Sequence, residues 1–265
     1  MAALPKCSLV TPTYNWPEAL NLLLKSLKEQ TYLPEEVIIA DDGSTKETRE
    51  LIEKQRSDFP VPLVHIWQED KGNRKPRIMN KAIAKSKFDY IIEIDGDIIM
   101  DKNFVRDHLT SAKENIFLYG SRVNIQKDYL PRLFEKGQTE FSFFSIGIKK
   151  RTRTLRIPYL ANLYKEETKR SKKLRGCNMS FWKKDFVAIN GFNENLVGWG
   201  IDDSEMAQRL LNSGIKGKRL KFKGIVYHIF HPEQNKQHLE INLKIEAETS
   251  LKGLTFIEKG INQFL

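Results

Sequence analysis

Tyr90-Ile91-Ile92-Glu93-Ile94-Asp95-Gly96-Asp97-Ile98-Ile99 is the stretch on which the reading of the whole chain turns. The apolar run from Tyr90 reads as a buried strand, and two carboxylates separated by one glycine at its end read as a site for a hard cation. In an open α/β sheet, ligands bind outside the carboxyl ends of the strands, so Asp95 and Asp97 face a crevice rather than the core. Glycine at 96 lets backbone and ligand approach closely. A plain turn after a strand is the competing reading, since Asp and Gly are ordinary turn residues.

Upstream, the same grammar repeats. Cys7 to Thr11 predicts a strand, Pro12-Thr13-Tyr14-Asn15 the turn after it, and Pro17 the first turn of a helix whose Leu20, Leu23, Leu24 and Leu27 recur with helical spacing. Val37 to Ala40 predicts a second buried strand, ending in Asp41-Asp42-Gly43-Ser44, before a polar helix. Val61 to Trp67 predicts a third strand, followed by a basic loop carrying Lys71, Arg74, Lys75 and Arg77, and then a helical stripe of Ile78, Met79, Ala82 and Ile83. Strands alternating with helices imply right-handed crossovers and a mostly parallel central sheet flanked by helices, an α/β fold. Three loops then converge on one sheet edge, and the basic loop could meet a diphosphate there, against the plain reading that exposed Lys and Arg are common after a strand.

Downstream, Phe104 to Ala112 predicts a helix, with His108 on its apolar stripe as a packed core histidine. Ile116 to Tyr119 predicts a strand, and the pattern weakens from Gln126 to Arg175, read as a variable lobe with a flexible loop. In Val197-Gly198-Trp199-Gly200-Ile201-Asp202-Asp203-Ser204-Glu205 the acidic residues open a helix, where the helix dipole favours carboxylates. Simple N-terminal capping is the competing reading of Asp202 and Asp203. A tryptophan between two glycines, however, is costly to expose and offers a flat surface to a sugar ring. Lys218 to Tyr227 predicts one strand delivering His228, with His231 three residues on. Either histidine could add a nitrogen ligand to an oxygen-rich metal site, and His228 is the favoured one. From Gln234 a helix is expected to end near Gly253, against an alternation in Leu239, Ile241, Leu243 and Ile245 that suits a strand.

The totals bound the answer. A chain of 265 residues can bury a sizeable core as a single α/β domain spanning 1–265. The net charge of +10 is concentrated in Lys149 to Arg175, where eleven Lys or Arg against Glu166 and Glu167 leave a local excess of nine. A charge so localised argues against nucleic acid as partner and for one basic segment near a phosphate or a lipid surface, with a plain solvated loop as the alternative. Cys7 and Cys177 show no metal-ligand spacing and are expected to be reduced, in a cytoplasmic setting. Neither a secretion signal nor a membrane span of ~20 apolar residues is read in the sequence.

Taken as a series from Ser8 to Pro232, Pro12-Thr13-Tyr14-Asn15, Asp41-Asp42-Gly43-Ser44 and Asp95-Gly96-Asp97 resemble the donor-binding motifs of family 2 glycosyltransferases. Gly191-Phe192-Asn193-Glu194 through Trp199-Gly200-Ile201-Asp202-Asp203 resembles the C-terminal half of galactosyltransferases and chondroitin-polymerase-like enzymes. The resemblance implies the GT-A nucleotide-diphospho-sugar transferase fold. Residues 1–120 would be the nucleotide-sugar half, 121–233 the acceptor and catalytic half, and 234–265 a helical extension. It further implies that Pro12, Thr13, Tyr14, Asn15, Asp42, Arg74, Arg77, Asp95 and Gly96 hold the donor, with Asp42 on a uracil. Asp97 and His228 would ligate Mn²⁺ or Mg²⁺. Asp203 would be the general base, and Trp199, Gly200 and Asp202 would place the acceptor.

Departures from the resembled pattern are Asp202 where glutamate is common and Ser204 where a further aspartate often stands, which puts acceptor identity in doubt. The implied activity is inverting, metal-dependent transfer of a hexose or N-acetylhexosamine from a UDP-sugar to a glycan or lipid-linked acceptor in cell-surface polysaccharide synthesis. Lys149–Arg175 would then be a lid over the diphosphate or a peripheral contact to the inner face of a membrane. A nucleotidyltransferase would instead carry a glycine-rich phosphate loop after the first strand, which Pro12-Thr13-Tyr14-Asn15 is not. A sugar-nucleotide-binding module without turnover would have no need of Asp97 and Asp203.

Overall fold

The computed structural model describes residues 3–232 and 236–265. Three strand–helix units open the chain: β1 (Cys7–Thr13) with α1 (Pro17–Lys28), β2 (Glu36–Asp41) with α2 (Lys46–Arg56), and β3 (Leu63–Trp67) with α3 (Lys75–Lys85). β4 (Tyr90–Glu93) runs into the acidic tripeptide, and β5 (Ile98–Met100), α4 (Phe104–Leu109), β6 (Ile116–Tyr119) and β7 (Arg122–Ile125) follow. The middle of the chain holds α5 (Leu130–Lys136), β8 (Ile148–Lys149), α6 (Pro158–Ala161) and β9 (Glu166–Glu167). Then come β10 (Met179–Trp182), α7 (Lys183–Ala188), α8 (Asp202–Asn212), β11 (Lys216–Arg219), β12 (Val226–His228) and α9 (Leu239–Leu251).

Two sheets result. The larger runs β3-β2-β1-β4-β10-β6-β11-β9, and the smaller β5-β12-β7-β8. In the larger sheet β3, β2, β1 and β4 are mutually parallel, as are β6 and β11, while β10 lies antiparallel between β4 and β6. Alternate residues of the central strands feed two cores. Leu9, Val37 and Ile39 pack with Leu20, Leu23, Leu24 and Leu27 of α1, whereas Val10, Ile38 and Ala40 pack with Ile78, Met79, Ala82 and Ile83 of α3. A sheet buried on both faces reads as continuous apolar runs, which is why β2 and β4 carry no polar alternation. Each fully buried leucine contributes roughly 1.5–3 kcal/mol. α1 also lays Ala19 and Leu22 against Ile99 of the second sheet, so one helix joins the two layers.

The expected strand over Lys218–Tyr227 divides in two. β11 pairs with β6 in the large sheet and β12 with β5 and β7 in the small one. Phe222 and Gly224 between them adopt φ of 65° and 54°, a reversal that continuous alternation in the sequence conceals. The variable lobe after Gln126 holds short helices and strands, and β8 pairs with β7. The last helix forms, as α9, in preference to the alternating strand; its expected start at Gln234 lies outside the described residues. His108 is fully buried between Ser180 Oγ (2.7 Å) and Asn178 Oδ1 (3.0 Å), and burial pulls its pKa down to about 4, so it packs as a neutral core residue. Both cysteines are buried and free. Among the described residues no helix is long and apolar enough to cross a membrane.

Candidate active site

The ends of β1, β2 and β4 and the loop after β3 open onto one cavity of about 340 Å³, closed by Gly198, Trp199, Gly200, Asp202 and His231. Pro12, Thr13, Tyr14, Asp42, Asp95, Gly96 and Asp97 line it. Gly96 has a steric reason of its own, since a Cβ there would collide with the Pro12 carbonyl oxygen. Asp42 stands at the base of this wall. Its Oδ1 accepts from Gln68 Nε2 at 2.5 Å and its Oδ2 from the Arg74 N–H at 2.7 Å. Burial raises the Asp42 pKa, against the pull of those two donors. Tyr14 presents a half-exposed ring, its hydroxyl donating to Asp70 Oδ2 at 2.9 Å. Asn15, at φ 45°, instead ties two loops together through Ser44 Oγ and the Thr45 N–H.

Across the cavity floor the two sheets meet, and the junction assembles a ligand set. Asp97 Oδ2 lies 3.3 Å from His228 Nε2 and 3.2 Å from His231 Nε2, and one ligand atom from each residue fits within 4.8 Å of the others. Asp97 precedes β5, His228 ends β12, and β5 pairs with β12 with Ile98 opposite His228, so strand register sets the spacing. Asp97 Oδ1 is buried without a hydrogen-bond partner. Burial would raise the Asp97 pKa, but the two imidazoles outweigh it and hold the group below the usual carboxylate range. A carboxylate with two imidazoles and a spare buried oxygen fits a divalent cation.

The opposite wall is the entry to α8. Gly198, Gly200 and Ile201 have φ of 76°, 95° and 78°. Ile201, β-branched and left-handed, stores about 1–3 kcal/mol of backbone strain. That kink starts the helix at Asp202. Asp203 accepts a hydrogen bond from the Gly176 N–H, and a Cβ at Gly176 would lie 2.7 Å from the Asp203 Cβ, so only glycine permits this approach. Burial first, then the Asp202 charge, raise the Asp203 pKa to about 6 in spite of Lys75 and the Gly176 donor. Behind it, Glu205 and Arg209 form a fully buried pair that anchors α8, with Thr249 of α9 donating to Glu205 at 3.0 Å.

Lys75 joins the walls. Its ammonium lies 3.0 Å from Asp95 and 3.4 Å from Asp202. Burial works against that charge, yet Asp202, Asp95, Glu93 and Asp203 together hold its pKa well above the ordinary value. Lys75 was read in the sequence only as one more basic loop residue. Its signal is position, one helical turn ahead of Ile78 and Met79 on the buried stripe of α3. Arg77, expected at the diphosphate, is turned the other way: it pairs with Glu194 at 2.9 Å and stacks on Phe264, because it falls between stripe positions. Arg74 holds Asp42 through its backbone and donates its guanidinium to the Glu69 carbonyl. Glu93, also not foreseen, is fully buried with neither oxygen hydrogen-bonded, and burial pushes its pKa well up against the pull of Lys75.

The motifs in these walls match known proteins. The family model described as glycosyl transferase family 2 matches residues 8–170, well over half of the chain. The chain belongs to glycosyl transferase family 2. A second model, described as the N-terminal domain of galactosyltransferase, matches residues 157–232 of this family 2 chain. Validoxylamine A glucosyltransferase of Streptomyces hygroscopicus subsp. limoneus is 26% identical over 223 residues, 80% of this chain and 49% of that protein. Chondroitin synthase of Escherichia coli is 26% identical over 223 residues, 78% of this chain and 32% of that protein. The chain thus spans half or less of these two curated relatives.

Among solved structures, the mannosyltransferase PcManGT from Pyrobaculum calidifontis, in complex with GDP-Man and Mn²⁺, superposes with a TM-score of 0.64 at 16% identity, over 97% of this chain and 66% of that one. TarS 1–349 of S. aureus in complex with UDP gives 0.63 at 17% identity, over 91% and 64%. The family 2 chain has the GT-A fold that its motifs imply.

Proposed function

We propose that this family 2 glycosyltransferase moves a hexose or N-acetylhexosamine from a UDP-sugar to a glycan or lipid-linked acceptor, with inversion and with a divalent cation. The observation that carries the reading is the facing of unlike carboxylates across one cavity: Asp95 and Asp97 beside His231 on one side, Asp202 beside Trp199 on the other, with Asp203 next to Asp202 in the first turn of α8 and His228 next to Asp97. Asp97, His228 and His231 would hold Mn²⁺ or Mg²⁺, which would supply positive charge to the leaving diphosphate. The two imidazoles favour Mn²⁺, since Mg²⁺ prefers oxygen ligands. UDP is supported by its presence in the TarS complex, and Mn²⁺ by the PcManGT complex, whose donor is GDP-Man.

Each residue then has a task its geometry suits. Asp42, with both oxygens already steadied by Gln68 and Arg74, accepts the N–H of the base. Tyr14 stacks beside it. Lys75 fixes Asp95 against the ribose and diphosphate end of the donor while restraining Asp202 on the acceptor side. Trp199 gives the acceptor sugar a flat apolar face. Asp203 takes the proton of the acceptor hydroxyl, and a base with a pKa near 6 is ionised at neutral pH and still basic enough to help. A base on the side opposite the diphosphate gives direct displacement, so an α-linked donor yields a β-glycoside.

Release of UDP from UDP-Gal, UDP-GalNAc, UDP-GlcNAc and UDP-Glc, with GDP-Man as a control, tests the donor in Mn²⁺, in Mg²⁺ and in chelator. Metal-dependent turnover of one UDP-sugar is expected. Turnover of GDP-Man alone would overturn the uracil assignment, and an α-linked product, read from its anomeric proton coupling, would overturn inversion.

A further inference from the structure

Beside the acceptor wall lies a group of cations that the reaction above does not use. Arg122 opens β7, Arg219 closes β11 with Lys221 two residues on, and Lys150, Arg153 and Arg175 come from the basic segment. Topology gathers them. Arg219 lies opposite Tyr119 in the β6–β11 pairing, and β7 begins three residues after Tyr119. The Arg153 guanidinium donates to the Arg122 carbonyl oxygen at 2.8 Å, and the Arg122 guanidinium is 3.8 Å from Cys177 Sγ. Arg175 is the chain neighbour of Gly176, whose N–H holds Asp203.

Among the described residues none of the six has a carboxylate at ion-pair distance, although Arg156 and Arg170 of the same basic segment pair with Asp107 and Glu246. Arg219 Nε is buried and makes no hydrogen bond. Burial, and then the neighbouring cations, push Lys150, Arg153 and Lys221 below their ordinary pKa values. Solvated surface cations spread apart or find partners. A set held together with a buried donor unused has the chemistry of an oxyanion receptor, because guanidinium forks bind carboxylate and phosphate through paired hydrogen bonds.

We propose that Arg122, Arg153, Arg219 and Lys221, flanked by Lys150 and Arg175, form an oxyanion subsite for the acceptor, taking a phosphate or carboxylate carried near the hydroxyl presented to Asp203. This rests on the transferase reading of Asp203 given above. The subsite selects an acceptor whose repeat or carrier is negatively charged and leaves neutral glycans weakly held. Acceptor affinity then falls with ionic strength, while donor affinity, set in the neighbouring cavity, follows its own course.

Calorimetric titration of the full chain, with UDP and Mn²⁺ present, tests the subsite with three probes: a ribitol-phosphate oligomer, a glucuronate-containing chondroitin oligosaccharide and neutral maltohexaose. At least one charged probe is expected to bind about tenfold more tightly than maltohexaose, and Lys150→Gln/Lys221→Gln to erase about that factor. Among the described residues neither lysine has a carboxylate partner, so the double variant relieves repulsion and should keep its melting temperature. Arg219→Lys, which retains charge but loses the fork, should weaken the charged probe in the same direction.

Preference for the ribitol phosphate alone assigns a phosphate-bearing acceptor, and preference for the glucuronate alone a uronate-bearing one. Equal binding of charged and neutral probes, or charged binding that survives all these substitutions, overturns the subsite. So does binding of phosphatidylglycerol vesicles that the double variant abolishes while neither oligomer binds, which makes the patch a lipid contact. UDP binding in the same titrations separates the two readings: UDP bound without anion preference sinks the subsite alone, whereas no UDP bound sinks the donor assignment.

Discussion

Asp95-Gly96-Asp97 and Asp202-Asp203 are built from the same side chain, yet the fold drives them to opposite states. Asp97 sits between His228 and His231 and is held below the usual carboxylate range, while Asp203, buried beside Asp202, is raised to about 6. Two carboxylates with separated proton affinities can do two jobs, one as a permanent anion and one as a base. Their supports differ as well. The first pair is positioned by strand register between two sheets, the second by a strained glycine-rich turn and the backbone of a distant loop. Register is rigid, and a turn can be re-aimed, so the Asp97 site is the more tightly specified of the two.

Removing the histidine-facing member should break the contrast most severely. Asp97→Ala is expected to lower Mn²⁺-dependent UDP release by at least ~10³-fold and to weaken Mn²⁺ binding in a direct titration, because the remaining imidazoles lack the anionic ligand. Unaltered Mn²⁺ affinity would move the cation elsewhere. Asp203→Asn comes next. Transfer should fall by about 10²- to 10⁴-fold while UDP binding stays within about twofold, since the base is lost and the donor wall is untouched.

The pH profile sharpens the comparison without removing either pair. Asp203 must be ionised to accept a proton, so kcat/KM for the acceptor should rise through about pH 6 and level off above it. Lys75 lowers the Asp203 pKa, so Lys75→Met should move this acid limb to higher pH. A limb that stays in place would show that Lys75 acts only on the donor. The smallest kinetic effect belongs to Arg77→Gln. Its guanidinium pairs with Glu194, whose side chain is 3% exposed, so UDP-sugar KM should change by less than about twofold. Thermal unfolding should nevertheless report a loss of about 1–3 kcal/mol from the unpaired buried carboxylate.

How far the site could be read in advance follows the same division. Asp42, Asp95 and Asp97 were legible because a buried strand announces its end, and residues just past parallel strand ends share one edge. Trp199, Asp202 and Asp203 were legible as a glycine-flanked aromatic beside a helix start. Lys75 and Arg77 were not separable, because both follow the same strand and only the rotation of α3 sends one to the carboxylates and the other to Glu194. His231 joined His228 only once β12 had paired with β5. Gly176 could not be associated with Asp203, twenty-seven residues away, from any local pattern.

The chain's linear pattern therefore determined the alternation of strands and helices, the mostly parallel sheet, the family, and the carboxylates proposed for donor and base chemistry. All of these are written in short-range periodicity and in what stands at strand ends. Tertiary structure decided which histidines face Asp97, which lysine bridges the two walls, why Asp203 has a raised pKa, and where the unpaired arginines collect. Those properties depend on burial and on charges contributed by residues far apart in sequence, and both arise only when the two sheets and the entry to α8 close on one another.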